Sequence, residues 1–176
     1  AGFGGQGVML IGNLLAYAGM EHGLNVTYIP VYGPEMRGGT ANCSVVLSEE
    51  EIISPMVLNP TELIAMNKPS LIKFEPMMVS GGVLLVNSSI IEIKAARADI
   101  SAYYIPCQEI ADELGNRKTA NMVMLGAYIA ATKLLRFDTI QEMLAHLCTG
   151  PKAALVVLNV EALRRGANCV SAEAKK

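Results

Sequence analysis

Apolar positions recur along this chain with two alternating periods. Val8, Ile11, Leu14, Leu15 and Ala18 follow helical spacing, which predicts a helix over residues 8–21. His22 and Gly23 then supply a stop, since a basic group suits the negative end of the helix dipole and glycine suits the left-handed position after it. A strand is expected over 25–31, closed by Pro30 and the Gly33-Pro34 turn. β-Branched content predicts a second strand over 43–47, with 49–51 an exposed acidic turn and 52–55 closing a hairpin-like unit. Further along, residues 62–66 read as a short buried strand. Residues 69–78 read as a helix with proline in its tolerated first turn. Gly81-Gly82 leads into 83–87, a continuous apolar run of the kind found in parallel sheets. Residues 102–106 form another strand, and helices are expected over 107–114, 119–135, 138–147 and 152–165. The polar residues 166–176 are expected to fray.

This alternation defines an α/β fold, a single three-layer α/β/α sandwich that is Rossmann-like. The hairpin-like unit makes the expected sheet mixed rather than purely parallel. No internal repeat and no linker divides the chain, so residues 1–176 are read as one domain. A strand is expected ahead of Ala1, where a glycine turn of this type needs one.

Composition changes the picture in one respect. Apolar residues make up 52% of the 176 and charged residues only 17%, and the mean hydropathy is +0.36. No apolar run approaches the roughly 20 residues that span a bilayer, because 122–135 is interrupted by Gly126, Thr132 and Lys133. An apolar surplus without a membrane segment points to burial against other subunits, or against a second copy when the chain is isolated. A net charge of −2 without basic runs argues against nucleic acid. Cys43, Cys107, Cys148 and Cys169 are widely spaced, which argues against a chain-borne metal or cluster and suits a reducing cytoplasm.

Two glycine-rich stretches carry the candidate chemistry. The first, Ala1-Gly2-Phe3-Gly4-Gly5-Gln6-Gly7, places Gly2, Gly4 and Gly7 at G-x-G-x-x-G spacing directly before a helix. Such a turn brings backbone N–H groups close to an anion. The acidic residue that a dinucleotide ribose requires is missing after the next strand, where Tyr32-Gly33-Pro34 stands, so the motif alone does not define an NAD site. The second stretch, residues 32–42, leaves the end of a strand beside the first. Arg37 within it suits a phosphate or carboxylate, and an ion pair with Glu35 is an equal alternative. Asn116-Arg117-Lys118-Thr119-Ala120-Asn121 precedes the longest helix and reads either as an anion site or as a solvated turn capped by Asn116 or Thr119. His22 and His146 sit on helices without catalytic neighbours, Ser54, Ser88 and Ser89 lack a base, and Cys107 reads as a buried structural thiol. No acid–base engine is present.

Taken in order, Gly4-Gly5-Gln6-Gly7-Val8, Tyr32-Gly33-Pro34-Glu35-Met36-Arg37-Gly38-Gly39-Thr40 with Asn42-Cys43, Ile53-Ser54-Pro55, and Gly115-Asn116 with Asn121-Met122-Val123-Met124-Leu125-Gly126 resemble the gamma subunit of the 2-oxoacid:ferredoxin (acceptor) oxidoreductases. The resemblance covers nearly the whole chain. It implies a complex that decarboxylates a 2-oxoacid oxidatively with thiamine diphosphate and Mg, forms acyl-coenzyme A, and reduces ferredoxin through 4Fe–4S clusters. By the same resemblance those cofactors reside on alpha, beta and ferredoxin-like delta subunits, and this chain alone binds none. Gly4, Gly5, Gln6, Gly7, Arg37, Gly38, Gly39, Thr40 and Asn121 are the positions expected to meet coenzyme A or partner subunits. Two other classes stay open: a free-standing Rossmann-type nucleotide-binding protein and a purely structural interaction subunit.

Overall fold

The computed structural model describes residues 1–33, 39–147 and 154–173. The chain opens with a two-residue strand β1 (Gly2–Phe3), then helix α1 (Val8–Glu21) and strands β2 (Asn25–Tyr32) and β3 (Thr40–Ser48). Next come β4 (Glu62–Ala65), α2 (Lys68–Phe74) with a 3-10 turn at Glu75–Met77, and the strands β5 (Val83–Asn87) and β6 (Ser101–Ile105). Helices α3 (Cys107–Glu113), α4 (Ala120–Thr132), α5 (Phe137–Leu147) and α6 (Ala154–Glu173) complete the chain.

Two three-stranded units form the sheet. In one, β1 and β2 flank β3, both antiparallel to it; in the other, β4, β5 and β6 lie parallel. Ala1 joins them. Its nitrogen donates to the Ile64 carbonyl at 2.8 Å, and the Met66 N–H donates to the Ala1 carbonyl at 2.8 Å. That is the parallel-ladder pattern around Ala65, so the strands run in the order β2-β3-β1-β4-β5-β6. The sheet is mixed, as the sequence pattern requires, but the hairpin is a different one. β3 pairs over its length with the preceding β2, from Asn25↔Ser48 to Tyr32↔Ala41, and residues 52–55 form no strand. Edge strand β2 carries Pro30 opposite Cys43, where the missing N–H weakens the edge against outside pairing.

Alternation sorts the sheet's side chains between two cores. Met66, Leu85 and Ile105 face a large core with α1, α3, α4, α5 and α6, whereas Leu63, Ala65, Leu84 and Val86 face a small one with Leu71 of α2. The layers are therefore unequal. Helix α1 lies close on the hairpin because Gly12 and Gly19 have no side chains: a Cβ on Gly12 would stand 2.5 Å from Cys43 Sγ, and one on Gly19 2.5 Å from Leu47 Cδ2. His22 closes this helix as expected, its Nδ1 donating to the Ala18 carbonyl at 2.7 Å. In α4 every residue from Ala120 to Ile129 is buried, which explains its lack of a polar face.

Two helix ends differ from expectation. Pro76 converts the end of α2 into a 3-10 turn, since proline offers no N–H to an α-helix. The last helix does not stop near Arg165 with a frayed tail behind it but continues to Glu173. Gly166 and Val170 are buried there because Gly166 meets the backbone of Val123 in α4. Hydropathy reports side chains, and this contact is made by backbone. The small core has its own buried staple. The Glu75 carboxylate, 6% exposed, accepts the N–H groups of Ala96 and Arg97 at 2.6 and 2.9 Å and ties the segment before β6 to α2.

Candidate functional site

The glycine turn leaves β1 at the C-terminal end of the parallel strands, beside the end of β4. Here the connection from β1 goes to one side of the sheet and β4 begins the other half, which is where open α/β sheets bind ligands. Gly5 and Gly7 hold positive φ values of 96° and 73°, a conformation that glycine adopts without the steric cost other residues meet. The Gly4 N–H donates to the Gly39 carbonyl at 2.9 Å, and Phe3 pairs with Thr40. The two glycine-rich stretches thus meet at one sheet end. Gly39 is buried and Thr40 exposed. Arg37 and Gly38 lie outside the described residues.

Gln6 turns inward. Its Oε1 accepts the Phe3 N–H at 2.7 Å and its Nε2 donates to the Met66 carbonyl at 2.9 Å, so the side chain is a strut between the turn and the end of β4. Gly4 and Gly5 are exposed, and Gly5 has open space where a side chain would be.

Gly7 caps α1 and offers no side chain to its free N–H groups. A Cβ placed on it would lie 2.3 Å from Asn121 Nδ2, so Asn121, in the first turn of α4, packs against this backbone. Thr119, the N-cap of α4, makes no side-chain cap bond; its hydroxyl donates to the Asn116 carbonyl at 2.8 Å. Neither helix carries an acidic residue in its first turn. The uncapped N-terminus of α1, equivalent to roughly half a positive charge, therefore lies against the first turn of α4. Such a place stabilises an anion and repels a cation.

The turn before α4 is more tied down than its two cations suggest. Asn116 caps the 3-10 turn by accepting the Lys118 N–H at 3.1 Å. Arg117 grips Asp112 with two bonds of 2.6 and 2.9 Å, which holds that carboxyl below its ordinary range. Of this pair of cations, Arg117 is engaged within the chain.

Sequence reading passed over an amide beneath this site. Asn87, fully buried at the end of β5, has neither Oδ1 nor Nδ2 bonded within the chain. Asn67 Nδ2 and Gln108 Oε1 are also buried without a partner. The available signal was an asparagine closing an apolar parallel strand, where unpaired amides are costly. Ser89, read as lacking a base, does have a carboxylate partner: its hydroxyl donates to Glu109 and accepts the Gln108 N–H at 2.9 Å. That pair secures the start of α3 and includes no histidine.

Two of the thiols are shifted by their surroundings. Burial pushes Cys107, wholly enclosed, well above the ordinary thiol range and raises Cys43 as well. Among the described residues no three histidine, cysteine or carboxylate side chains gather as a metal-binding group. No helix among the described residues is long and apolar enough to cross a membrane.

A mixed α/β sheet with a glycine turn at its switch point and an uncapped helix N-terminus beside it is an arrangement at which open α/β sheets bind ligands. The chain belongs to the pyruvate ferredoxin/flavodoxin oxidoreductase family, whose model matches residues 1–169. It is 38% identical over 168 residues to ketoisovalerate oxidoreductase subunit VorA of Methanothermobacter thermautotrophicus, covering 95% of this chain and 35% of that protein. It is 37% identical over 153 residues to 2-oxoglutarate synthase subunit KorC of Methanothermobacter marburgensis, covering 83% of this chain and 82% of that one. The chain thus spans about a third of VorA and most of KorC. Among solved structures, the keto/oxoacid ferredoxin oxidoreductase gamma subunit from Geobacter sulfurreducens PCA superposes with a TM-score of 0.78 at 29% identity, covering 97% of this chain and 95% of that one.

Proposed function

We propose that this chain is the gamma component of a multi-subunit 2-oxoacid:ferredoxin oxidoreductase. The complex converts a 2-oxoacid, coenzyme A and two oxidised ferredoxins into acyl-coenzyme A, CO2, a proton and two reduced ferredoxins. Alpha and beta subunits supply the thiamine diphosphate and Mg, and 4Fe–4S clusters sit on beta or on a ferredoxin-like delta subunit. This component assembles with them in the cytoplasm and forms part of the approach for coenzyme A.

The observation that carries the reading is the uncapped N-terminus of α1 at Gly7, packed against Asn121 and beside the Gly4–Gly39 contact. Phosphate-bearing coenzyme A has the charge such a site favours. Arg37, two residues before Gly39 in sequence, carries a guanidinium whose chemistry suits bidentate binding of a phosphate. The similarity to VorA and KorC favours a branched-chain 2-oxoacid or 2-oxoglutarate as the substrate.

Arg37→Ala in the assembled complex is expected to raise the KM for coenzyme A about tenfold, the loss of one charge-assisted contact. The KM for the 2-oxoacid is expected to stay within a factor of two or so. Steady-state kinetics with each substrate varied in turn measures both. Unchanged coenzyme A kinetics in an intact complex would leave the chain a purely structural interaction subunit.

A further inference from the structure

Asn87 ends β5 fully buried, with neither atom of its amide bonded within the chain. The period of two decides which way it faces. Leu85 and Ile105 face the large core, so Asn87, two residues after Leu85 and opposite Ile105 in register, is on that face as well. Helix α3 begins there, with Cys107 and Ala111 in the same core. Its second residue, Gln108, has a buried Oε1 that is also unbonded.

The segments carrying these two amides are tied together. Ser88 N–H donates to the Ile105 carbonyl at 2.9 Å, and Gln108 N–H donates to Ser89 Oγ at 2.9 Å. The junction of β5, β6 and α3 therefore gathers two unbonded acceptors, Asn87 Oδ1 and Gln108 Oε1, and one unbonded donor, Asn87 Nδ2.

Rearranging the side chains cannot satisfy all three. Turning Asn87 Nδ2 onto Gln108 Oε1 leaves Asn87 Oδ1 without a donor. Flipping the Asn87 amide exchanges its two ends but not the count. Asn67 Nδ2, the other buried amide donor left unbonded among the described residues, follows Ala65 on the face of the small core. Asn121 Nδ2 is held against Gly7. Buried acceptors left this way are costly, so the missing donors come from outside the chain. Water matches the need, with two O–H donors for the two oxygens and lone pairs for the amide nitrogen.

We propose that the junction of β5, β6 and α3 is a buried hydration site. Its ordered water donates to Asn87 Oδ1 and Gln108 Oε1 and accepts from Asn87 Nδ2. The water joins the end of β5 to the start of α3, as the Gln6 side chain joins the glycine turn to the end of β4. Both struts then stiffen the same end of the parallel strands.

A crystal structure of the full chain, alone or in its complex, at a resolution that shows ordered water tests this. Water is expected within about 2.5–3.0 Å of both Asn87 Oδ1 and Gln108 Oε1. A protein donor on Asn87 Oδ1, a dry junction, or a ligand group in the water's place would each overturn the proposal. Gln108→Met gives a second reading in solution, because it keeps the length of the side chain and removes Oε1. Losing a bond to the water is expected to lower Tm by about 2–4 °C. An acceptor that was never satisfied would be relieved by the same change, so an unchanged or higher Tm also overturns it.

Discussion

Gly126→Ala is expected to lower the Tm of the chain by about 4–8 °C. Helices α4 and α6 cross on two glycines. A Cβ on Gly126 would lie 1.9 Å from the Leu163 carbonyl oxygen, and one on Gly166 1.8 Å from the Val123 oxygen. Both obstacles are backbone, so no side-chain rotation relieves them and the helices must separate. Overpacking of this kind costs about 3 kcal/mol. Alanine's better helix propensity returns at most about 1 kcal/mol, so the clash wins. Separation would loosen Ala162, Leu163 and Val170, which α6 contributes to the large core. Thermal unfolding followed by circular dichroism gives the answer. An unchanged or higher Tm would mean that propensity outweighs the crossing and that the helices sit further apart.

Gly7→Ala is expected to lower kcat/KM for coenzyme A by ten- to a hundredfold, about 1.4–2.7 kcal/mol at the transition state. The φ of 73° strains any residue with a side chain, by about 1–2 kcal/mol. The added methyl also displaces Asn121, which packs where it would stand. The packing of the α1 N-terminus on α4 would be lost together with the direction of the α1 N–H groups. Gly5→Ala separates the two effects. Gly5 has a similar φ of 96° but open space beside it, so that variant carries the strain without moving Asn121. Kinetics on complexes containing each variant should therefore differ, with Gly7→Ala the more damaged. Equal damage would mean that backbone strain alone matters and that Asn121 has no part.

Much of this fold was legible because side-chain pattern and backbone need coincide. The helical period of Val8, Ile11 and Leu14 and the stop at His22-Gly23 gave α1 its true bounds, and the apolar run at β5 gave its own. Pairing was less legible. By pattern alone β3 could close a hairpin with the segment on either side of it, and the choice falls to β2, whose eight residues match its length in register. The extent of α6 depended on glycine at a helix crossing, which a hydropathy pattern reads as weakness. At the candidate site, the meeting of Gly4 with Gly39 came from two glycine stretches at neighbouring strand ends. The inward turn of Gln6 did not, because a glutamine in a glycine turn looks the same whether it binds a ligand or the Met66 carbonyl. Asn87 was hidden by its neighbours, four apolar residues that made it look like the end of a strand.

The central claim is membership of a working complex, and anaerobic affinity isolation of this chain from its native cells tests it most directly. The eluate is assayed for coenzyme A-dependent viologen reduction with pyruvate, 2-oxoglutarate, branched-chain 2-oxoacids and aryl pyruvates. Recovery of thiamine- and cluster-bearing partner subunits, active with one preferred 2-oxoacid, is the predicted result. Recovery of the chain alone, inactive with every acid yet binding a nucleotide, would contradict the account and make the glycine turn the cofactor site of a free-standing protein.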